Sequence, residues 1–413
     1  MTAPATALDL DFVRSQFPAF SSPVLSSHAF FENAGGSYPC RQVVERLHRF
    51  YTDRKVQPYA PYPGAQAGGA EMDEARTRLS AMMGIAPHEL SFGPSTSANT
   101  FVLAQAVRQW LRGTDGAIVV TNQDHEANSG VWRRLADEGI EVREWKIDPA
   151  TGSLSTAALA PLLADGKVRL VCFPHCSNVV AEINDVAAIC DMARAAGART
   201  VVDGVSYAPH GFPHLPTLGC DVYLFSAYKT YGPHQGIMAI REGFGHELPG
   251  QGHFFNNGTL YKRFTPAGPD HAQIAACAGM ADYIDALAER HGIGGDAAAR
   301  NSGVHDLMRA HEVALTAPLL EFLSARNDLR LVGPRDAARR APTVAVELRG
   351  PAEPVAQELG RRGIACWGGD FYAVRPLEAM GIDRDKGVLR MSLVHYTTAE
   401  EVARLVRTLE SVL

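Results

Sequence analysis

The sequence has no cysteine pair at CxxC spacing, no basic excess, no long apolar run and no glycine-rich phosphate fingerprint. Each absence closes a class of function. Its seven cysteines, at 40, 172, 176, 190, 220, 277 and 366, are an odd set, and several sit in apolar runs such as RLVCFPHCS. Reduced, buried thiols fit better than a disulfide framework. Lys plus Arg total 39 against 45 Asp plus Glu, a formal charge of -6, so nothing balances a phosphate backbone and no nucleic-acid partner is expected. Nowhere do roughly 18 consecutive apolar residues occur, and the N-terminus has no basic start followed by an apolar stretch. The expectation is a cytoplasmic chain off the membrane. GxGxxG and GxxxxGK[ST] are both missing, so any phosphate-bearing cofactor is held by other means. His210 and His214 are spaced like helical metal ligands, but Pro209 and Pro213 deny them a helix, and no metal site is expected. No repeat period removes solenoids and propellers.

What is present is 413 residues, 46% of them hydrophobic, enough for two or three domains and a sizeable buried site. From about residue 70 to 245, apolar runs alternate with amphipathic stretches roughly every 25 to 30 residues, the pattern of βαβ units and a mostly parallel sheet. The expected strands are AIVVTNQ (117–123), EVREWKI (141–147), RLVCFPHCS (169–177), RTVVDGVS (199–206), DVYLFSA (221–227) and GIMAI (236–240). Between them NSGVWRRLADEG and VAAICDMARAAG carry the helical period, each closed by Gly. Residues 245–275, dense in Gly, Asn, Pro and aromatics, read as a long irregular segment, followed by a helix around 272–291. The last third, with TVAVELR, PVAQELGRRG, VLRMSLV and TAEEVARLVRTLES, reads as a smaller α+β domain.

An open α/β sheet binds its ligand at the strand ends. There stand His125 in TNQDHEAN, Asn178 in FPHCSN, Asp203 in VVDGVSYAPH, and Ser226 with Lys229 in LFSAYKTYGP. Upstream, Ser95, Thr96 and Ser97 precede an expected helix, whose free N–H groups favour an anion. Taken singly, the Ser/Thr positions are more often only caps and His125 or Asn178 more often a satisfied core polar group, while Asp203 is as often a turn cap. Together they suit a pyridine-aldehyde cofactor. Lys229 would form a Schiff base and later move the Cα proton, and Asp203 would keep the pyridine nitrogen protonated. His125 would stack on the ring, Asn178 would donate to its phenolic oxygen, and Arg390 would pair with a substrate carboxylate.

The ordered blocks FFENAGGSYP (30–39), FGPSTSANT (92–100), NQDHEANSGVW (122–132), FPHCSNVVAEIN (173–184), VDGVSYAPHG (202–211), FSAYKTYGPHQG (225–236) and LRMSLVHYTTAEEV (389–402) resemble the class V aminotransferases of pyridoxal phosphate. The branch is the one of cysteine desulfurases and isopenicillin N epimerase. The resemblance implies the fold type I of pyridoxal-phosphate-dependent transferases (aspartate aminotransferase-like), with a mostly parallel seven-stranded sheet and a small α+β C-terminal domain. Its division is an N-terminal segment (1–30) packing with the small domain, a large cofactor domain (31–290) and the small domain (291–413). It also implies a homodimer with sites at the interface and an amino-acid substrate. Lys229, Asp203, His125 and Asn178 match the Schiff-base lysine, pyridinium partner, stacking ring and phenolate contact. Thr96, Ser97 and Ser226 match phosphate contacts. Arg390 matches the α-carboxylate arginine, and Asn33, Ala34 and Gly35 match the loop lining the substrate pocket.

Departures from the desulfurase pattern bear on the reaction. Tyr228 replaces the usual His before the lysine, Ser206 replaces a cofactor-side Gln, and Gly268 in PAGPDH replaces a phosphate-binding Thr of the partner subunit, with His271 or Asn256 and Asn257 as substitutes. The loop that presents a sulfur-accepting cysteine reads CWGGDFYAV, with Tyr372 aligned at that position and Cys366 six residues earlier. An apolar setting raises a thiol pKa and removes the thiolate. The expectation is therefore transamination, epimerisation or β-elimination on a small amino acid without a persulfide. The alternatives are a true desulfurase using Cys366 and a non-catalytic scaffold, which the retained Lys229 and Asp203 disfavour.

Overall fold

A computed structural model describes residues 7–413. Strand β1 is Ala29–Phe30. The large sheet follows with β2 (Leu90–Gly93), β3 (Ala117–Thr121), β4 (Glu141–Trp145), β5 (Val168–Pro174), β6 (Arg199–Asp203), β7 (Val222–Ser226) and β8 (Gly236–Ile240). Its order is β2-β8-β7-β6-β5-β3-β4, and β8 alone runs against its neighbours. Strands β3, β7 and β8 are buried at every residue because helices cover both faces, and this is why they read as unbroken apolar runs. Chain order reverses between β3 and β5, so the C-terminal ends of β3, β5, β6 and β7 open on one crevice.

Six of these strands match the sequence reading to within a few residues. The seventh, β2, is only LSFG between Pro87 and Pro94, too short to show a period, and it exists through its antiparallel pairing with β8. The helix expected at 272–291 is two, His271–Ala276 and Ala278–Arg290. NSGVWRRLADEG forms helix Glu126–Arg133 and a 3-10 turn that ends on Gly139 at φ 83°. Between helix Glu242–Glu247 and helix His271–Ala276, the irregular stretch contains short turns of helix, Phe254–Asn256 and Leu260–Arg263.

The C-terminal third adds β9 (Leu329–Val332), β10 (Thr343–Leu348), β11 (Ile364–Ala365), β12 (Trp367–Gly369) and β13 (Val388–Ser392). Four of them form an antiparallel sheet, β12-β13-β10-β9, and β11 pairs in parallel with β1. Helices Ala297–Ser324, Ala352–Arg361 and Ala399–Val412 cover this sheet through Leu319, Leu323, Leu359, Leu405 and Leu409. The described N-terminal segment is tied to the C-terminal part by β1 and by Arg14, which donates to the Tyr396 carbonyl at 2.9 Å and pairs with Glu401. Residues 1–6 of the expected N-terminal segment lie outside the described residues. No helix among the described residues is long and apolar enough to cross a membrane.

Candidate active site

Strand β7 ends in Ser226 and turns at once into the 3-10 segment Ala227–Lys229. Thr230 locks that turn: its N–H donates to the Ala227 carbonyl at 2.7 Å and its hydroxyl to the Ser226 carbonyl at 3.1 Å. Lys229 is thereby held in the wall of a cavity of about 790 Å³. Burial lowers its amine to about 8, the Arg390 charge adds to the effect, and Asp203 and Glu32 oppose it. Asp203, at the end of β6, is pushed up to about 6 by burial, while the Val205 N–H at 2.9 Å and Lys229 hold it down. A second carboxyl, Asp124, stands beside it. Burial and then the Asp203 charge raise Asp124 well above the carboxylate range, and its oxygens accept from the His125 N–H and the Asn128 amide.

His125 caps helix Glu126–Arg133, and its Nδ1 accepts from the Ala127 N–H at 3.0 Å. The ring hydrogen therefore sits on Nε2. Burial, then Lys229 and Arg390, lower its pKa to about 4, which keeps the ring neutral near physiological pH. Over it leans Tyr372, 71% exposed, with ring centroids 5.6 Å apart. Phe371 and Tyr372 take φ near 54° and 55°, held by the Asp370 carboxylate on the Tyr372 N–H, by Asn178 Nδ2 donating to the Phe371 carbonyl at 3.0 Å, and by the Glu126 N–H donating to the Tyr372 carbonyl at 2.9 Å. Arg390 on β13 completes the wall. It donates to Glu32 at 2.8 Å and to the Asn178 carbonyl at 3.3 Å.

The family model described as aminotransferase class-V matches residues 29–405. The chain belongs to the class V aminotransferase family. It is 31% identical to the aminotransferase-like protein FGM3 of Gibberella zeae, over 99% of this chain and all of that one. A probable cysteine desulfurase of Xylella fastidiosa is 28% identical over 98% of this chain and 96% of its own. Among solved structures, the apo cysteine desulfurase of Thermococcus onnurineus NA1 superposes with a TM-score of 0.83 at 22% identity, covering 99% of each chain. The fold is thus the pyridoxal-phosphate transferase fold type I expected from the sequence, and this is an enzyme family that depends on pyridoxal phosphate.

The residues of this class V chain fit that cofactor. An amine, a carboxyl and a neutral flat imidazole converge on one crevice, and the hydroxyls of Thr96 and Ser226 meet at 2.8 Å where helix Thr96–Trp110 begins. Lys229, His125, Asn178, Ser97, Ala34, Gly35, Tyr372 and Arg390 line the cavity. Asp203, Thr96 and Ser226 stand buried at their strand and helix ends. Asn178 has one amide hydrogen engaged by Phe371, which leaves the other for a ligand, and its buried Oδ1 has no partner.

Other expected positions stand outside the wall of this cavity. Asn33 is buried with its amide donating to the Ser392 carbonyl at 2.8 Å and its oxygen accepting from the Tyr396 hydroxyl, so it braces the loop rather than lining the pocket. Ser206 lies in the turn after Asp203, outside the cavity wall. Gly268, His271 and Asn256 line a separate cavity of about 230 Å³, and none of them reaches the Lys229 cavity of this chain. Cys366 packs against the core of the C-terminal sheet, and burial pushes its thiol up to about 12. His210 pairs with buried Glu312 at 3.0 Å. The sequence reading missed Glu32 and Asp124, although both sit inside quoted blocks directly beside chosen residues.

Proposed function

We propose that this chain is a pyridoxal-phosphate enzyme that acts at Cα or Cβ of a small amino acid, by transamination, epimerisation or β-elimination, without a persulfide cysteine. The observation that carries this reading is the composition of the cavity wall: it contains Lys229, His125 and Arg390 but no cysteine, and Tyr372 stands on the loop where a sulfur acceptor would be. The cofactor supplies a sink for the charge left at Cα when a bond there breaks. Lys229 would hold its aldehyde carbon and Asp203 its ring nitrogen. Thr96, Ser97 and Ser226 would hold its phosphate.

With its amine near 8, Lys229 is partly unprotonated at neutral pH and suited to take or return a proton at Cα. Arg390 and Asn178 fix the substrate beside it, and the Phe371–Tyr372 loop limits water. Choice among the three reactions falls to Tyr228 and Tyr372, the two phenols in the wall.

The same reading makes the chain a homodimer. Phe254 and Phe255 are 84% and 70% exposed, an apolar pair that a second copy would cover.

The test is the absorbance spectrum of the purified protein and of Lys229→Ala, each with pyridoxal phosphate, followed by a screen of amino acids. A visible band that is altered in the variant and shifted by one amino acid is the expected result. No band, or the same band in both proteins, overturns the reading. Cys366→Ala should turn over normally, since loss of sulfur release in that variant would instead support a desulfurase.

A further inference from the structure

The carboxylate-binding arginine of the site proposed above already has a carboxylate. Arg390 Nη2 donates to Glu32 Oε1 at 2.8 Å, Nη1 donates to the Asn178 carbonyl at 3.3 Å, and the guanidinium lies 3.7 Å over the Phe371 ring. Two atoms are left over. Arg390 Nε and Glu32 Oε2 are both buried without a hydrogen-bond partner. Glu32 and Arg390 line the same cavity as Lys229.

The backbone is arranged to present Glu32 there. Its loop is fastened to the end of β13, two residues beyond Arg390: the Ser392 N–H donates to the Phe31 carbonyl at 2.8 Å, and the Ala34 N–H donates to Ser392 Oγ at 2.8 Å. Asn33 adds its own bond to the Ser392 carbonyl. Gly35 supplies the room, because a Cβ at that position would lie 2.6 Å from Glu32 Oε1.

We propose that Glu32 is a specificity-determining residue, an internal counter-ion on Arg390 that a ligand carboxylate must displace and that an amine without a carboxylate need not. Displacement leaves the Glu32 carboxylate beside the incoming one in a partly desolvated wall, and like charges there repel. The cavity thus penalises simple carboxylates and spares plain amines. The proposal rests on the functional reading above only in taking this cavity as the substrate site.

The experiment titrates propionate and ethylamine calorimetrically into the protein loaded with pyridoxal phosphate. Glu32→Gln removes the competing charge, so propionate should bind about tenfold tighter while ethylamine gains nothing. Gly35→Ala should shift propionate in the same direction, since the new methyl group forces the Glu32 carboxylate off Arg390 without deleting its charge. Arg390→Ala should abolish propionate binding with or without Glu32. Unchanged or weaker propionate binding in both Glu32→Gln and Gly35→Ala overturns the proposal, as does an equal gain for ethylamine. Propionate cannot bond to the cofactor, and the exchange of ethylamine onto its aldehyde is common to all the variants, so the differences among them read the Arg390 wall alone. A missing cofactor band strikes the functional reading, and the same propionate titrations on cofactor-free protein then still test this proposal; a normal band with unaltered propionate affinity strikes this proposal alone.

Discussion

Thr96 Oγ1 and Ser226 Oγ lie 2.8 Å apart, although 130 positions separate them in the chain. The contact fastens the first residue of helix Thr96–Trp110 to the end of β7, three residues before Lys229. Gly236 permits the approach, since a Cβ there would stand 2.3 Å from the Ser95 carbonyl carbon. The pair gives two hydroxyls at a helix N-terminus, where free N–H groups and the dipole favour an anion.

Thr96→Ala or Ser226→Ala should therefore weaken cofactor binding more than it weakens the fold. Each change removes one donor and leaves the other hydroxyl buried, and a loss of about 1 to 2 kcal/mol corresponds to roughly tenfold in affinity. Titration of cofactor-free protein with pyridoxal phosphate reads it directly. An unaltered dissociation constant in both variants would locate the phosphate elsewhere.

Asp203 provides a pH-dependent prediction. Its folded pKa of about 6 lies above the ordinary 3.8, chiefly through burial, so the folded protein binds this proton more tightly than the unfolded chain does. The stabilisation is complete below the unfolded value and is lost as pH rises through about 6. Asp203→Asn removes that slope. In cofactor-free protein near neutral pH it should add stability on the order of 2 kcal/mol while abolishing turnover. Denaturant unfolding of both proteins across this range checks it, and parallel pH profiles would count against a buried charge at Asp203.

How far the sequence shows these features depends on the distance over which each is determined. AIVVT and VYLFS are legible because a strand covered on both faces is an unbroken apolar run, and the functional groups at their ends come with them. Strands β2, β11 and β12, of four, two and three residues, are defined by partners far along the chain and carry no period of their own. The same holds in the site. Asn33 belongs to a block that resembles a pocket loop, yet its amide is consumed by Ser392 and Tyr396, 359 and 363 positions away. Glu32 acquires meaning only through Arg390, 358 positions on. Asp124 acquires its own only where the ends of β3 and β6 bring it to Asp203.

The cysteines should be inert in the native protein. Six of the seven are buried, and Cys366 is half-buried with its thiol pushed up to about 12, the same direction burial imposes on Cys40, Cys176 and Cys190. Thiolate is the reactive form, so a disulfide reagent near pH 8 should modify the folded protein slowly and all seven thiols at once in denaturant. Rapid native labelling at Cys366 would reopen the sulfur-acceptor role.

The loop over the cavity is held from both sides, and a partly exposed ion pair at one of its ties makes the last prediction. Arg375 pairs with Glu126 at 3.0 Å, while Asn178 and the Glu126 backbone hold the Phe371 and Tyr372 carbonyls. The ion pair is about a third exposed, 34% and 40% for its two side chains, which limits it to about 0.5 to 1 kcal/mol and makes it sensitive to salt. Arg375→Ala should leave the fold and cofactor affinity intact, because neither Arg375 nor the Glu126 side chain bonds to the Lys229 turn or to the start of helix Thr96–Trp110. It should raise KM a few-fold, with kcat changing less, as the loop spends more time away from the substrate. The wild type should lose the same margin in high salt, whereas the variant should not respond. A variant that matches the wild type at low salt would assign the closure to Asn178, the backbone bonds and the Arg384–Asp370 pair.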